Sequence, residues 1–141
     1  MNTAKLSLEF TNDLDELENL SRNIEYFCEV NGLSGRNAFE LNLVIDEVFT
    51  NIVSYGFNDK KEHRIKIDIH MNNGELTVRV EDDGAPFDPT AAPKTDLNCP
   101  IEDRKIGGIG LHLINQIMSS VIYKRVKDKN ILVLKKCLNK K

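Results

Sequence analysis

The chain has 141 residues, with 40% hydrophobic and 29% charged, which suits one domain with a core of its own and excludes an intrinsically disordered chain. The net charge of −3 speaks against a general nucleic-acid binder, because such proteins carry a basic excess. No apolar run approaches the ~18 residues of a membrane span, and the start Met1-Asn2-Thr3-Ala4-Lys5-Leu6 is too polar for a signal peptide, so a cytoplasmic protein is expected.

Lys5 to Phe10 alternates apolar and polar residues, the period of a half-buried strand. Thr11 or Asn12 is placed to cap a helix with an acidic first turn at Asp13, Asp15 and Glu16. Leu17, Leu20, Ile24 and Phe27 share one face of that helix, which runs to about Val30 and ends at Asn31-Gly32. A second helix is predicted from about Ser34 to Phe57, broken near Tyr55-Gly56. Arg64 to Met71 alternates again, Asn72-Asn73-Gly74 is a hairpin turn, and Leu76 to Val80 is the returning strand. From Gly84 to Ile106 no period holds, and all four prolines of the chain fall there. A structureless stretch that long is either a lid over a site or a disordered insertion. Leu111 to Ser119 is helical, and Val121 to Val126 with Ile131 to Leu138 closes the chain as a hairpin around Asp128-Lys129-Asn130. The order gives an α/β (α+β) two-layer sandwich, with a mixed, mostly antiparallel sheet and helices on one face. Cys28, Cys99 and Cys137 have neither disulfide-framework nor zinc-site spacing, so they read as thiols in a reducing compartment.

Three segments carry chemistry. In the second helix Glu47 and Asn51 stand four apart, hence on one face of an otherwise apolar run. A carboxamide oxygen suits a hard cation that takes few protein ligands, and a carboxylate one turn away can orient or deprotonate a hydroxyl. Asp46 is the competing acid, but lies about 100° round the helix. Asp82-Asp83-Gly84 ends a strand; a buried carboxylate there can accept from an adenine amino group, and glycine lets a ring approach the backbone. The same triplet is also a common turn. Gly107, Gly108 and Gly110 open the last helix, where free N–H groups bind anions, or else they form a hinge. Arg104 and Lys105, just before, either reach a γ-phosphate or are solvated. His63, His70 and His112 are assigned no chemistry.

Together these segments resemble the Asn box and the two glycine boxes of the GHKL ATPase superfamily, which includes gyrase, histidine kinases and MutL and shares the Bergerat ATP-binding fold. Asp46-Glu47-Val48-Phe49-Thr50-Asn51, Asp82-Asp83-Gly84-Ala85-Pro86-Phe87-Asp88-Pro89 and Gly108-Ile109-Gly110-Leu111 are most similar to the stand-alone branch of anti-sigma factors that are also serine-protein kinases. The resemblance implies one ATPase domain over residues 1–141 with an ATP lid at about 84–107. It implies Glu47 as general base, Asn51 as the Mg2+ ligand, Asp82 as the adenine acid and Gly84 shaping the base pocket. It implies that Gly107, Gly108, Ile109, Gly110 and Leu111 hold phosphate beneath the lid, with Arg104 and Lys105 nearby. Tyr55 stands where that branch often has a His, and Lys105-Ile106-Gly107 replaces an Arg-Ser-type entry. The implied activity is ATP-dependent phosphorylation of a serine or threonine on a STAS-type anti-sigma-factor antagonist, with sequestration of a sigma factor and commonly a homodimer. The competing reading is an ATP-holding switch that sequesters a regulator without phosphotransfer.

Overall fold

The computed structural model describes residues 3–86 and 108–138, and of residues 108–112 only the backbone path. Arg104, Lys105, Gly107 and almost all of the expected lid lie outside the described residues. The elements are β1 (Thr3–Thr11), a 3-10 turn (Leu14–Glu16), α1 (Leu17–Val30), α2 (Gly35–Tyr55), β2 (Arg64–Asn72), β3 (Glu75–Asp82), α3 (Gly108–Ile117), β4 (Ser120–Val126) and β5 (Lys129–Cys137). They form the two-layer sandwich expected, with a five-stranded sheet in the order β1-β2-β3-β5-β4. All four described pairings are antiparallel.

Alternation decides which face of the sheet is dry. Ile65, Ile67, Ile69, Leu76, Val78, Val80 and Leu134 point to the helices and are essentially inaccessible. Leu20, Ile24 and Phe27 of α1 and Leu41, Val44, Ile45, Val48 and Phe49 of α2 meet them. Phe49 packs edge-to-face on Phe10 of β1, with ring centroids 6.1 Å apart. Lys136 is the inward exception on β5. Its ammonium pairs with Glu40 of α2 at 2.9 Å and donates to the Ile117 carbonyl at 3.4 Å, so one buried cation joins the sheet to α2 and to the C-terminal end of α3.

Several boundaries depart from expectation, each for a local reason. The first cap is Asp13, which accepts from the Asp15 N–H at 2.9 Å and starts a 3-10 turn before α1. Neither Thr11 nor Asn12 caps it; Asn12 accepts from the His63 N–H at 2.9 Å, fastening the end of β1 to the chain entering β2. Ser34 caps α2 by accepting from the Asn37 N–H at 3.1 Å. α3 begins at Gly108 rather than Leu111, so Gly108 and Gly110 lie in its first turn. Glycine costs a helix about 1 kcal/mol each, which is why the apolar period alone puts the start too late. The β4–β5 turn is Lys127-Asp128, both left-handed (φ 49° and 66°), as are Asn73 and Gly74 (φ 52° and 81°) in the β2–β3 turn. Both fit the two-residue turn that matches sheet twist. Asn130 is therefore a strand residue and not part of a turn.

Candidate functional site

A cleft of about 500 Å3, including its open mouth, lies between the C-terminal half of α2 and the ends of β3, β4 and β5. Val48, Ile52, Tyr55, Tyr123 and Leu132 give it apolar walls, and Asn51, Asp82 and Asn130 give it polar points. An apolar slot with a few fixed polar groups suits a flat heterocycle with a hydrogen-bonding edge.

Asp82 is 5% exposed. Its Oδ1 accepts from the Gly84 N–H at 2.8 Å and from Asn130 Nδ2 at 3.0 Å. No donor among the described residues reaches Oδ2, so one oxygen is locked and the other is free to accept from a ligand. Burial is the main influence on this carboxyl and pushes its pKa up, against the two hydrogen bonds that hold it down.

Asn130, itself 6% exposed, is the hub of this corner. Its Nδ2 also donates to the Ala85 carbonyl at 2.9 Å, and its Oδ1 accepts from the Tyr123 hydroxyl and, at 3.1 Å, from Arg125. Arg125 further donates to the Gly84 carbonyl at 2.7 Å. The carboxamide thus has a fixed orientation and holds Asp82 in place. The sequence reading missed Asn130, Tyr123 and Arg125. A signal for Asn130 was present: stepping back by two from the inward-facing Leu134 and Leu132 puts position 130 on the inner face.

The chain's own packing requires glycine at position 84. A Cβ there would stand 2.5 Å from the Gly56 carbonyl oxygen and 2.9 Å from Asp82 Oδ1. The space is filled by the end of α2, since the Ala85 N–H donates to that same carbonyl at 2.7 Å. The strand end and the helix end therefore meet backbone to backbone.

Asn51 is 8% exposed and walls the cleft. Its Nδ2 is buried without a partner, and no donor among the described residues bonds its Oδ1. A buried amide donor left this way costs about 1–3 kcal/mol. A neutral, unengaged amide oxygen at the cleft fits a single protein ligand to a hydrated divalent cation. Glu47 is half-buried one turn earlier, about 40° round the helix, and does not wall the cleft. Asp46 lies one turn beyond Asn42, which accepts from Ser21 of α1 at 3.1 Å, so it faces α1 rather than the cleft. Its Oδ1 is buried without a partner, and burial, then the Glu47 charge, raises its pKa. The backbone of Gly108 to Leu111 forms the start of α3, as an anion site at that helix end requires.

His63, given no role from sequence, sits at the back of the Asp82 turn. Its Nε2 meets Asp59 at 2.7 Å, its Nδ1 meets Asp83 at 3.0 Å, and its ring stacks on Phe57 with centroids 4.3 Å apart. The Asp59 bond is the main cause of a raised His63 pKa; burial opposes it and Asp83 adds to it. The stability this contributes is complete below the ordinary value of 6.5 and is lost as pH rises through the raised one. Asp59 is held low chiefly by His63, so its share is present above 3.8 and lost as pH falls through the lowered value. His63→Gln is expected to flatten the fall in Tm above pH 6.5, as read by a melting series across pH. An unchanged slope would mean that another group sets it.

The histidine kinase-like ATPase domain family matches residues 10–136. The chain belongs to that family. Its ATPase relatives include the serine/threonine-protein kinase BtrW of Bordetella bronchiseptica, 32% identical over 94% of this chain and 90% of that one. The serine-protein kinase RsbW of Listeria innocua is 28% identical over 79% of this chain and 77% of its own. An anti-sigma F factor of Clostridium botulinum is 24% identical over 71% of each. Among solved structures, a blue-light activated histidine kinase of Erythrobacter litoralis superposes with a TM-score of 0.58 at 17% identity, over 88% of this chain and 41% of that one. The histidine kinase AdeS of Acinetobacter baumannii gives 0.51 at 16%, over 94% and 68%. These two likenesses establish the fold of this ATPase domain. No helix among the described residues is long and apolar enough to cross a membrane.

Proposed function

We propose that this chain is an ATP-dependent protein serine/threonine kinase and anti-sigma factor of the cytoplasm. It phosphorylates a STAS-type antagonist and sequesters a sigma factor. The observation that carries the nucleotide site is Asp82, buried with one oxygen locked and the other free in an apolar cleft. The names of the relatives, two protein kinases and an anti-sigma factor, support the activity and the partners.

In this reading the adenine edge meets Asp82 and the ring lies between Ile52 and Leu132. Asn51 holds Mg2+, which neutralises charge on the phosphates when bound. The amides of Gly108 to Leu111 that open α3, with Gly107 just before them in the chain, face phosphate, and residues 84–107 with Arg104 and Lys105 form the lid. Glu47 accepts the proton of the attacking hydroxyl, and Asn51 and Glu47 are kept in register by one turn of α2.

The test is transfer of γ-labelled phosphate from ATP to a panel of STAS-type antagonists, with Mg2+ and with a chelator. Label on a serine or threonine, lost with chelator and in Asn51→Ala, is the expected result. An ATP-dependent rise in Tm without any labelled antagonist would instead leave a switch that sequesters a regulator and transfers nothing.

A further inference from the structure

Asn130 and Arg125 hold the turn from Asp82 to Ala85 on one side. On the other side it is held through Asp83, by His63. The imidazole reaches two segments at once. Its Nδ1 meets Asp83, next to Asp82 at the end of β3, and its Nε2 meets Asp59, in the loop that leaves α2. The same loop supplies Phe57, whose ring lies nearly parallel to the imidazole, at 14°. The backbone of His63 is itself fixed, since its N–H donates to Asn12 Oδ1 at 2.9 Å and its carbonyl accepts from the Asn12 N–H at 3.0 Å. The His63 side chain is 16% exposed, whereas both carboxylates are about half exposed and free to turn out to water.

A carboxylate only accepts, so two such contacts need two ring N–H groups, and only the imidazolium has both. A neutral ring has one. It keeps the shorter contact, 2.7 Å to Asp59, with its proton on Nε2, and turns the Nδ1 lone pair toward Asp83 at 3.0 Å. Two acceptors at that distance repel, and Asp83 lets go. Losing one proton from His63 thus unfastens the end of β3 from the loop after α2.

The surrounding charges leave this pair in control. On its own segment Glu62 and Arg64 flank the ring, and Arg64 is turned to Glu62 and to Glu9 of β1. Lys66 lies further along β2, while Glu81 of β3 and Lys129 of β5 pair with each other at 3.2 Å. Lys61 of the loop gives its backbone N–H to the same Asp59 oxygen that His63 meets. Asn12, beyond the end of β1, brings no charge.

We infer that His63 is a positioning residue for the nucleotide, a role that rests on reading Asp82 as the adenine acceptor: its second proton ties the Asp82 turn to the loop after α2 and makes nucleotide affinity depend on pH. The protonated form binds more tightly, so bound nucleotide raises the His63 pKa above that of the free protein. The extra affinity is complete below the free-protein value and is lost as pH rises through the bound one. Its size is about two- to fivefold, the reach of one partly exposed ion pair.

The test is the Kd for ADP by titration calorimetry from about pH 5.5 to about pH 8.5, a span that brackets the imidazole, in wild type, His63→Gln and Asp83→Asn. The phosphates of ADP titrate alike with all three chains, so differences between the profiles read His63. Wild type is expected to lose about two- to fivefold more affinity over that span than His63→Gln. Asp83→Asn is expected to keep at high pH the advantage over His63→Gln that wild type shows only at low pH. Its carboxamide can donate to the Nδ1 lone pair, so a neutral ring holds both partners. A ring that only filled space would give no such rescue. The ring-proton NMR signal that His63→Gln removes is expected to titrate at higher pH in wild type saturated with ADP than in free wild type. Parallel profiles in all three chains, or an Asp83→Asn profile as steep as that of wild type, overturn the inference and leave the adenine reading standing, as does a ring signal that ADP does not shift. Absence of ADP binding at every pH overturns both.

Discussion

Glu47→Gln is expected to lower phosphoryl transfer about 100- to 10,000-fold, the span a positioned general base supplies. The replacement keeps the size and the hydrogen-bonding reach of the side chain and removes only its ability to take a proton. Glu47 stands on the α2 face that carries Asn51 but is no part of the cleft wall, so nucleotide binding should be spared. Single-turnover transfer, with the ATP-induced rise in Tm measured beside it, separates the two effects. Transfer at the wild-type rate would remove Glu47 from the chemistry. Loss of the Tm rise along with transfer would make it a binding residue.

Asp82→Asn is expected to abolish the stabilisation by ATP and leave the free protein at least as stable as before. The new side chain can still offer an oxygen to the Gly84 N–H and to Asn130, the two donors that fix Oδ1. Its other atom becomes a donor, which meets an adenine amino group with the wrong sign. A buried carboxylate also disappears; burial raises the Asp82 pKa, so its charge opposes folding as pH rises above 3.8 through the raised value. Ligand at 100 times its Kd adds about 2.7 kcal/mol, or several degrees for a chain of this length. That increment should be present in wild type at neutral pH and absent in the variant. A retained ATP shift would place the base elsewhere. A large fall in the Tm of the free protein would show the carboxylate to be structural.

The fold could be read because period and punctuation agree over most of the chain. Ile65-Lys66-Ile67-Asp68-Ile69 allows one strand register, and Asn73-Gly74 allows one kind of turn. Within the site, Asn51 was legible because a polar group in an apolar run needs a reason to be there, and Asp82 because it ends a strand just before a glycine. Asn130 was hidden because Asp-Lys-Asn looks like turn chemistry, while the left-handed pair actually falls at Lys127-Asp128, where no glycine marks it. His63 was hidden because both its carboxylate partners come from loops, and Asp83 is 20 residues away. Such contacts depend on where strands end, and periodicity fixes strand interiors far better than their ends.

The junction in which the Gly56 carbonyl accepts from Ala85 joins the end of α2, the helix that carries Glu47 and Asn51, to the turn behind Asp82. With Asn130 and Arg125 bonded to the same turn, the Asp82 end of the cleft, where the proposed reading puts the heterocycle, is assembled without a ligand. The ordering entropy of that corner therefore falls on folding rather than on association, which favours tight and rapid capture. On the proposed reading this corner meets ATP and ADP alike, since it would grip the part they share. Affinity gained there is uniform along the reaction and cannot itself lower the barrier to transfer. Discrimination between nucleotide states, on which any partner exchange depends, must come from groups that sense the terminal phosphate.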